Sequence, residues 1–442
     1  MKIKLIIAAA FMAANTAAQD VRNDISRNPD IAGCNYMAYP GPRQTSLTPS
    51  PKGYTPFYIS HYGRHGSRYL ISQNDYDAPL RKLRLANERQ LLTDKGKEVL
   101  TKVERMKAES NNRLGELTPL GAQQHRDIAR RMVERFPEVF SDSVTVNAKS
   151  TVVIRCILSM ENELMQMAAM KPTLKFVHDA SQHDMYYMNQ STKLLDSLKN
   201  QPQVKEAIKT FNDTHSHSDR LMNMLFTCKE QDSNNPTAAA DIIMSKERQK
   251  QLYKQLIDLA TALQNTELRH EFTLYDIFNT DELYENWQRT NAWWYQNNGF
   301  SPLTGSLQPY SQRNLLRKII EETDSCLKLK DPGATLRFGH EGMVMSLTCL
   351  LDINNNAVAT SLDSLEQHQW LSHNIFPMAC NLQFVFYRDN NDSSAPILLK
   401  VLLNENEATL PIATNTPPYY RWDDFRKYAL DILDKYPQSQ GQ

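Results

Sequence analysis

An α/β fold with a helical insertion is the architecture this 442-residue sequence predicts, and three observations predict it. Short β-branched or aromatic runs alternate with helical stretches before residue 170 and again after residue 300, the pattern of a central, mostly parallel sheet flanked by helices. Between them, from about 171 to 300, the chain is richer in Asn, Gln, His and Met and reads as mostly helical, as at 204–211 and 248–263. Finally, three of the strand runs lead straight into arginine, histidine or glutamate. The expected division is an α/β core in two parts, residues 19–170 and 301–442, with a helical cap over 171–300.

The bulk numbers exclude some partners. With 41% apolar and 23% charged residues the composition is globular. Fifty basic against 50 acidic residues give no general attraction to nucleic acid or to an anionic membrane, so any grip on an anion must be local. The N-terminus has the form of a secretory signal over residues 1–18. Lys2 and Lys4 precede an apolar run from Leu5 to Ala14, and Thr16-Ala17-Ala18 offers small residues for cleavage. That run is too short to predict a membrane span. Removing it takes away two lysines and no acids, leaving 48 basic against 50 acidic residues, and a secreted or periplasmic protein is expected. In such a compartment the six cysteines could form up to three disulfides, in any of 15 complete pairings. None lies in a CxxC, and no Cys/His cluster has zinc spacing, so no metal and no cofactor is expected.

In chain order, residues 19–56 carry Pro, Asn, Gly and Tyr and read as irregular. A strand at 57–61 follows, then a helical stretch over 79–108. Thr118 and Pro119 form a helix start, a capping hydroxyl followed by a proline at the first helical position. Ile128, Met132 and Phe136 then mark one apolar face ending before Pro137. Val144 and Val146, and then residues 151–154, read as strands, with a helix from about 159 to 170. Residues 334–338 form another strand, 343–351 an apolar helix, 384–387 and 397–403 a strand pair, and 425–436 a closing helix. His215 and His217 have the spacing of ligands, but with no third ligand near they read as a solvated loop.

The chemistry gathers at His61-Tyr62-Gly63-Arg64-His65-Gly66-Ser67-Arg68. Arginine offers a rigid fork of donors that suits phosphate, and glycine lets backbone approach a ligand closely. An imidazole between guanidiniums is kept neutral, as a nucleophile must be. Arg155 follows the 151–154 run, and His340-Glu341 follows the 334–338 strand. Ligands in α/β sheets bind at the carboxyl ends of strands, so these three segments are expected to meet in one crevice. Their three arginines, two histidines and one carboxylic acid suit phosphoryl transfer to an enzyme histidine. His65 would attack, Arg64, Arg68 and Arg155 would hold oxygens, His340 would donate a hydrogen bond, and Glu341 would serve as acid and then base.

This arrangement resembles the histidine acid phosphatases, branch 2 of the histidine phosphatases, and within them the multiple inositol polyphosphate phosphatases and histidine phytases. Residues 61–69 resemble the family's nucleophile loop, which implies His65 as nucleophile and Arg64 and Arg68 as phosphate clamps. Leu117-Thr118-Pro119-Leu120-Gly121 with Gln124-His125 resembles its first helix entry, Arg155 its third phosphate arginine, and Asn381 and Asn404 its late core segments. The resemblance implies a phosphoglycerate-mutase-like fold, a helical cap that chooses the substrate, and hydrolysis of phytate and lower inositol phosphates. One departure stands out. The donor order here is His340-Glu341-Gly342, where animal members of the group carry His-Ala-Glu. Lys193, Lys199, Arg220 and Arg289 are candidates for cap cations, and His61 for hydrogen bonding or for structure. The competing readings are a broad acid or sugar-phosphate phosphatase and, from a different class, a non-catalytic anion-binding protein.

Overall fold

The computed structural model describes residues 20–189, 192–229, 237–238 and 244–436; the expected signal segment lies outside them. An eight-stranded sheet organises the chain. β1 (Tyr54–Arg64), β2 (Thr145–Ser150), β3 (Lys175–Ala180) and β6 (Gly333–Gly339) form its parallel half, in the spatial order β1-β6-β2-β3. β7 (Asn381–Asp389), β8 (Leu398–Leu403), β9 (Asn406–Ala408) and β10 (Tyr419–Arg421) add an antiparallel half beside β1. The short strands β4 (Cys228–Lys229) and β5 (Thr237–Ala238) pair with each other. The expected central sheet flanked by helices is therefore present, mostly parallel in its core, with an antiparallel half added on the other side of β1.

Register decides where function can sit. Arg64 is opposite Gly339, and Ser150 is opposite Phe338, so β1, β6 and β2 end at one level. The chain continues the ladder past those ends. His65 N–H donates to Gly339 O at 2.9 Å, Arg64 N–H to Cys380 O at 2.8 Å, and Thr151 N–H to Phe338 O at 3.0 Å. β1 and β6 are buried on both faces, as parallel strands covered by helices must be.

Several elements differ from expectation. Residues 151–154 are not a strand. β2 stops at Ser150, and the helix Ile154–Met170 begins five residues before its expected start. Val152 and Ile154 are exposed there, so their β-branched side chains have no pleated surface to pack on and propensity yields to position. The stretch 79–108 is two helices, Gln73–Glu88 and Asp94–Glu109, the second capped by Thr93. Residues 171–300 are not wholly helical, since β3 lies within them and extends the main sheet. The N-terminal region expected to be irregular holds a helix, Val21–Arg27, and a 3-10 segment, Pro29–Tyr36. Of the disulfides that the compartment would allow, none forms among the described side chains: Cys34, Cys156, Cys326, Cys349 and Cys380 are free thiols, four of them buried.

A second core lies outside the sheet. Leu83, Val99, Leu225, Leu256, Ile257 and Trp287 bury their side chains together. The helical layer is thus assembled from chain before and after β2, with Gln73–Glu88 and Asp94–Glu109 packed beside Lys246–Leu263 and Thr280–Asn298. Each of these helices has an apolar stripe that must be covered, and burying such a side chain is worth roughly 1.5–3 kcal/mol.

Candidate active site

The loop after β1 is fixed by its own backbone. Gly66 N–H donates to Ser159 Oγ at 3.1 Å and Ser67 N–H to Gln124 Oε1 at 2.9 Å. Ser67 O accepts from both the N–H and the hydroxyl of Thr118. Thr118 caps the helix Pro119–Arg135 as expected, with Pro119 at its first position. A methyl group on Gly66 would come within 2.4 Å of Gly121 O, and one on Gly121 within 2.2 Å of Ser67 O. Glycine at both positions lets the loop rest directly on the helix start.

His65 is 1% exposed. Its Nδ1 lies 2.8 Å from Gly66 O, a contact that only an N–H can make favourably. That fixes the tautomer and leaves Nε2 with a free lone pair. Burial, then the charges of Arg64, Arg68 and Arg155, hold the imidazole well below its usual pKa, so it is neutral.

Three guanidiniums surround it. Arg64, with no exposed surface, donates through Nη1 to Asn35 O at 2.5 Å and Phe376 O at 3.1 Å, and its Nη2 lies 3.2 Å from Glu341 Oε1. Arg68 donates to Tyr69 O and to the Tyr36 hydroxyl, and its guanidinium lies 5.0 Å above the Tyr36 ring. Arg155, in the first turn of Ile154–Met170, reaches Gly115 O only weakly, at 3.5 Å. Arg64 Nε and Nη2, Arg68 Nε and Arg155 Nε are buried without hydrogen-bond acceptors. Uncompensated buried donors are costly, so their convergence describes a site built for an anion.

β6 delivers the remaining groups. His340 stands at the N-cap position of the helix Glu341–Leu350 without a side-chain capping bond, and its ring meets that of His65 edge-on with centroids 5.8 Å apart. Burial lowers its pKa to about 4, against the raising effect of Glu341. Glu341 Oε2 lies 3.9 Å from His65 Nε2. Burial pushes the Glu341 carboxyl up, but Arg64 and Arg68, with a backbone N–H and His340, outweigh it and bring the pKa down to about 2. One metal-ligating atom each from His65, His340 and Glu341 fall within 4.8 Å of one another, yet three guanidiniums around them oppose a divalent cation. All six residues singled out from the sequence therefore meet at one place.

A cavity of about 690 Å³ opens from this floor, touched by Arg68 and Glu341. Of the four cap cations considered, only Arg289 lines it. Arg220 is held by Glu282 and Ile277 O, and Lys199 by Asp196. His61 makes no hydrogen bond through its ring; it is buried against Phe338, with its pKa lowered to about 3 by burial, His125 and Arg337. His215 stacks on Phe211, and His217 pairs with Glu285. Asn381 and Asn404 tie the late segments together, the Asn381 N–H donating to Asn404 Oδ1 and the Asn404 N–H to Asn381 O. Sequence reasoning missed Asn35, Tyr36, Trp293 and Trp294, all of which line the cavity.

A mixed sheet that brings one neutral imidazole and three guanidiniums to the ends of its parallel strands defines a histidine phosphatase fold. The family model of the histidine phosphatase superfamily (branch 2) matches residues 63–404, and the chain belongs to that family of phosphoric monoester hydrolases. Among solved structures it is similar to the multiple inositol polyphosphate phosphatase of Bifidobacterium longum in complex with phosphate, at a TM-score of 0.72 and 20% identity, covering 90% of this chain and 97% of that one. The same Bifidobacterium longum enzyme in complex with inositol hexasulfate gives 0.70 and 20%, covering 88% and 95%. The phytase from D. castellii gives 0.62 and 14%, covering 92% and 85%. At these identities the likeness is one of fold. Among the described residues, no helix is long and apolar enough to cross a membrane.

Proposed function

We propose that the protein is an exported phosphatase that hydrolyses inositol phosphates through a phosphohistidine at His65. The observation that carries this reading is the set of unpartnered buried guanidinium donors around a neutral imidazole whose Nδ1 is already committed to Gly66 O. The ester's oxygens take the free donors of Arg64, Arg68 and Arg155, and His340 adds a hydrogen bond. His65 Nε2 attacks phosphorus in line, the N–P bond forms and the ester P–O bond breaks. Glu341 gives its proton to the departing alcohol oxygen. Its carboxylate then takes a proton from a water that attacks phosphorus, the N–P bond breaks, and phosphate leaves with His65 neutral again.

Two features of Glu341 shape this sequence. Its carboxylate lies 3.2 Å from Arg64 and 3.9 Å from His65 Nε2, inside the space a phosphoryl group needs. The arriving ester displaces it outward, toward the cavity that it already lines. Separated from Arg64 and set beside an anion, the carboxyl rises from a pKa of about 2 and takes the proton it later donates. Similarity to enzymes crystallised with phosphate and with inositol hexasulfate supports the substrate class.

The test is a comparison of phosphate release from inositol phosphates and from glucose 1-phosphate, with the products resolved over time. Stepwise loss of phosphate from the inositol esters is expected. Turnover of the sugar ester alone would replace this reading with that of a sugar-phosphate phosphatase.

A further inference from the structure

The two ends of the main sheet are finished differently. At one end β10 has only three residues and runs straight into the helix Trp422–Asp434. At the other end stands β3, six residues long, paired with β2 on one side and with no described strand on the other. Unlike the buried β6, β3 leaves Lys175, Val177, His178 and Asp179 exposed, Val177 by 60%. An open edge is a row of unpaired N–H and C=O groups, and a short strand that carries charges is the usual guard against a chance partner.

The backbone shows which groups are open. Lys175 N–H donates to Val144 O at 2.9 Å, so it points to the β2 side. Successive residues of a strand alternate. Val177 and Asp179 therefore also turn their N–H and C=O toward β2, and Phe176 and His178 turn theirs outward. Ala180 N–H, the next outward donor, is already taken by Asp179 Oδ1 at 2.7 Å. The free edge thus consists of the N–H and C=O of Phe176 and His178.

A second copy of β3, running antiparallel, fits these groups in one register. Phe176 opposite His178 of the second copy, and His178 opposite its Phe176, exchange four hydrogen bonds. Val177 then faces its own copy. Lys175 faces Asp179 of the copy on both sides of the two-fold axis. These last are pairs without hydrogen bonds, in which side chains stand closest and opposite charges attract best. A shift of two residues either way is the smallest that keeps the hydrogen-bonding rhythm. It sets Val177 opposite Lys175 or Asp179 and undoes both ion pairs.

The helix beside the edge agrees with this. Glu161 Oε1 lies 2.8 Å from His178 Nδ1, so the helix Ile154–Met170 covers β3 on one face. Leu158 and Met165 stand three and four residues from Glu161 on the same side of that helix, 40% and 67% exposed. The axis that pairs the strands turns this apolar pair toward its own copy. A two-fold interface must be complementary to itself, and the strand, its charges and the helix stripe all are.

From this we infer that the protein forms a homodimer through β3, its two eight-stranded sheets continuing across the axis as one. The charges that turn away a foreign strand accept a second copy of this one. β3 lines no part of the cavity that holds Arg68 and Glu341, so both cavities remain open in the dimer.

The experiment is analytical ultracentrifugation of the parent and of three variants over a micromolar concentration series, with the thermal transition showing that each is folded. The parent should sediment with the mass of two chains. Lys175→Asp and Asp179→Lys each set like charges opposite one another twice, and each should raise the dimer's dissociation constant at least about ten-fold. The exchanged variant K175D/D179K restores opposite charges and should bring the constant back to within about three-fold of the parent, because the two positions are coupled. A parent that sediments as one chain at every concentration would overturn the inference. So would a dimer that neither single substitution weakens, or one that the exchanged variant does not recover.

Discussion

The floor of the cavity and its wall are built on opposite principles. The floor is carried by the ends of β1 and β6; Arg64 and His65 are almost wholly inaccessible, and even the loop's N–H groups are assigned partners. The wall is carried by the helices Lys246–Leu263 and Thr280–Asn298, whose polar faces stay partly open, with cations and acids interleaved. The floor holds an excess of cations that only an anion can satisfy, whereas the wall largely satisfies itself. The difference teaches that the floor keeps buried donors without partners, while the wall pairs much of its charge within itself.

The largest effect expected from breaking the contrast lies at Glu341, where floor meets wall. Glu341→Gln keeps the size and removes the proton, so turnover of an alkyl phosphate should fall by roughly 10²–10⁴, the usual worth of general acid–base catalysis. On p-nitrophenyl phosphate, whose leaving group needs no proton, the loss should be far smaller. Equal losses on both esters would remove Glu341 from the donor role.

The next effect belongs to the buried histidines and is read as stability. An unfolded histidine takes up a proton near pH 6.5. In the fold, His340 stays neutral down to about pH 4 and His61 to about pH 3, and His65 is shifted in the same direction. Between those values the unfolded chain binds protons that the folded chain refuses. Their contribution is therefore full above about pH 6.5 and is lost as the pH falls. Glu341 adds a second loss below it, present above its ordinary value of 4.5 and gone through about 2. The melting temperature should fall steadily from pH 7 to pH 4, by an amount on the order of a few kcal/mol of stability, and saturating phosphate should offset part of the fall. A flat profile would contradict the burial of neutral imidazoles.

How much of this was legible in the sequence follows the same contrast. The floor was legible because its residues are contiguous with strands: Arg64, His65 and Arg68 leave β1, and His340 and Glu341 leave β6. Arg155 was identified for a partly mistaken reason, since residues 151–154 end the ladder and enter a helix rather than form a strand. The wall was hardly legible. Arg289 and Trp293 lie on one helical face, but a polar face with a tryptophan in it looks the same in sequence whether it lines a cavity or meets solvent. Asn35 and Tyr36 reach the floor through tertiary packing of an N-terminal segment with no repeating pattern, and no local signal announces that.

A smaller effect sharpens the floor's dependence on close backbone contact. Gly66→Ala should cost about 1–3 kcal/mol, the range for an overpacked site, because the new methyl meets the Gly121 carbonyl rather than a movable side chain. The thermal transition measures it. A variant as stable as the parent would show that the loop is not held against the helix start.

The central claim is that one ring nitrogen, Nε2 of His65, becomes bonded to phosphorus. Rapid quenching of a turnover mixture into alkali, which preserves phosphohistidine, followed by peptide mass spectrometry, tests it most directly. The account predicts a phosphoryl group on the peptide containing His65, absent from the His65→Ala variant along with turnover. Phosphate release that continues in His65→Ala, or a phosphoryl group found on His340 instead, would contradict it.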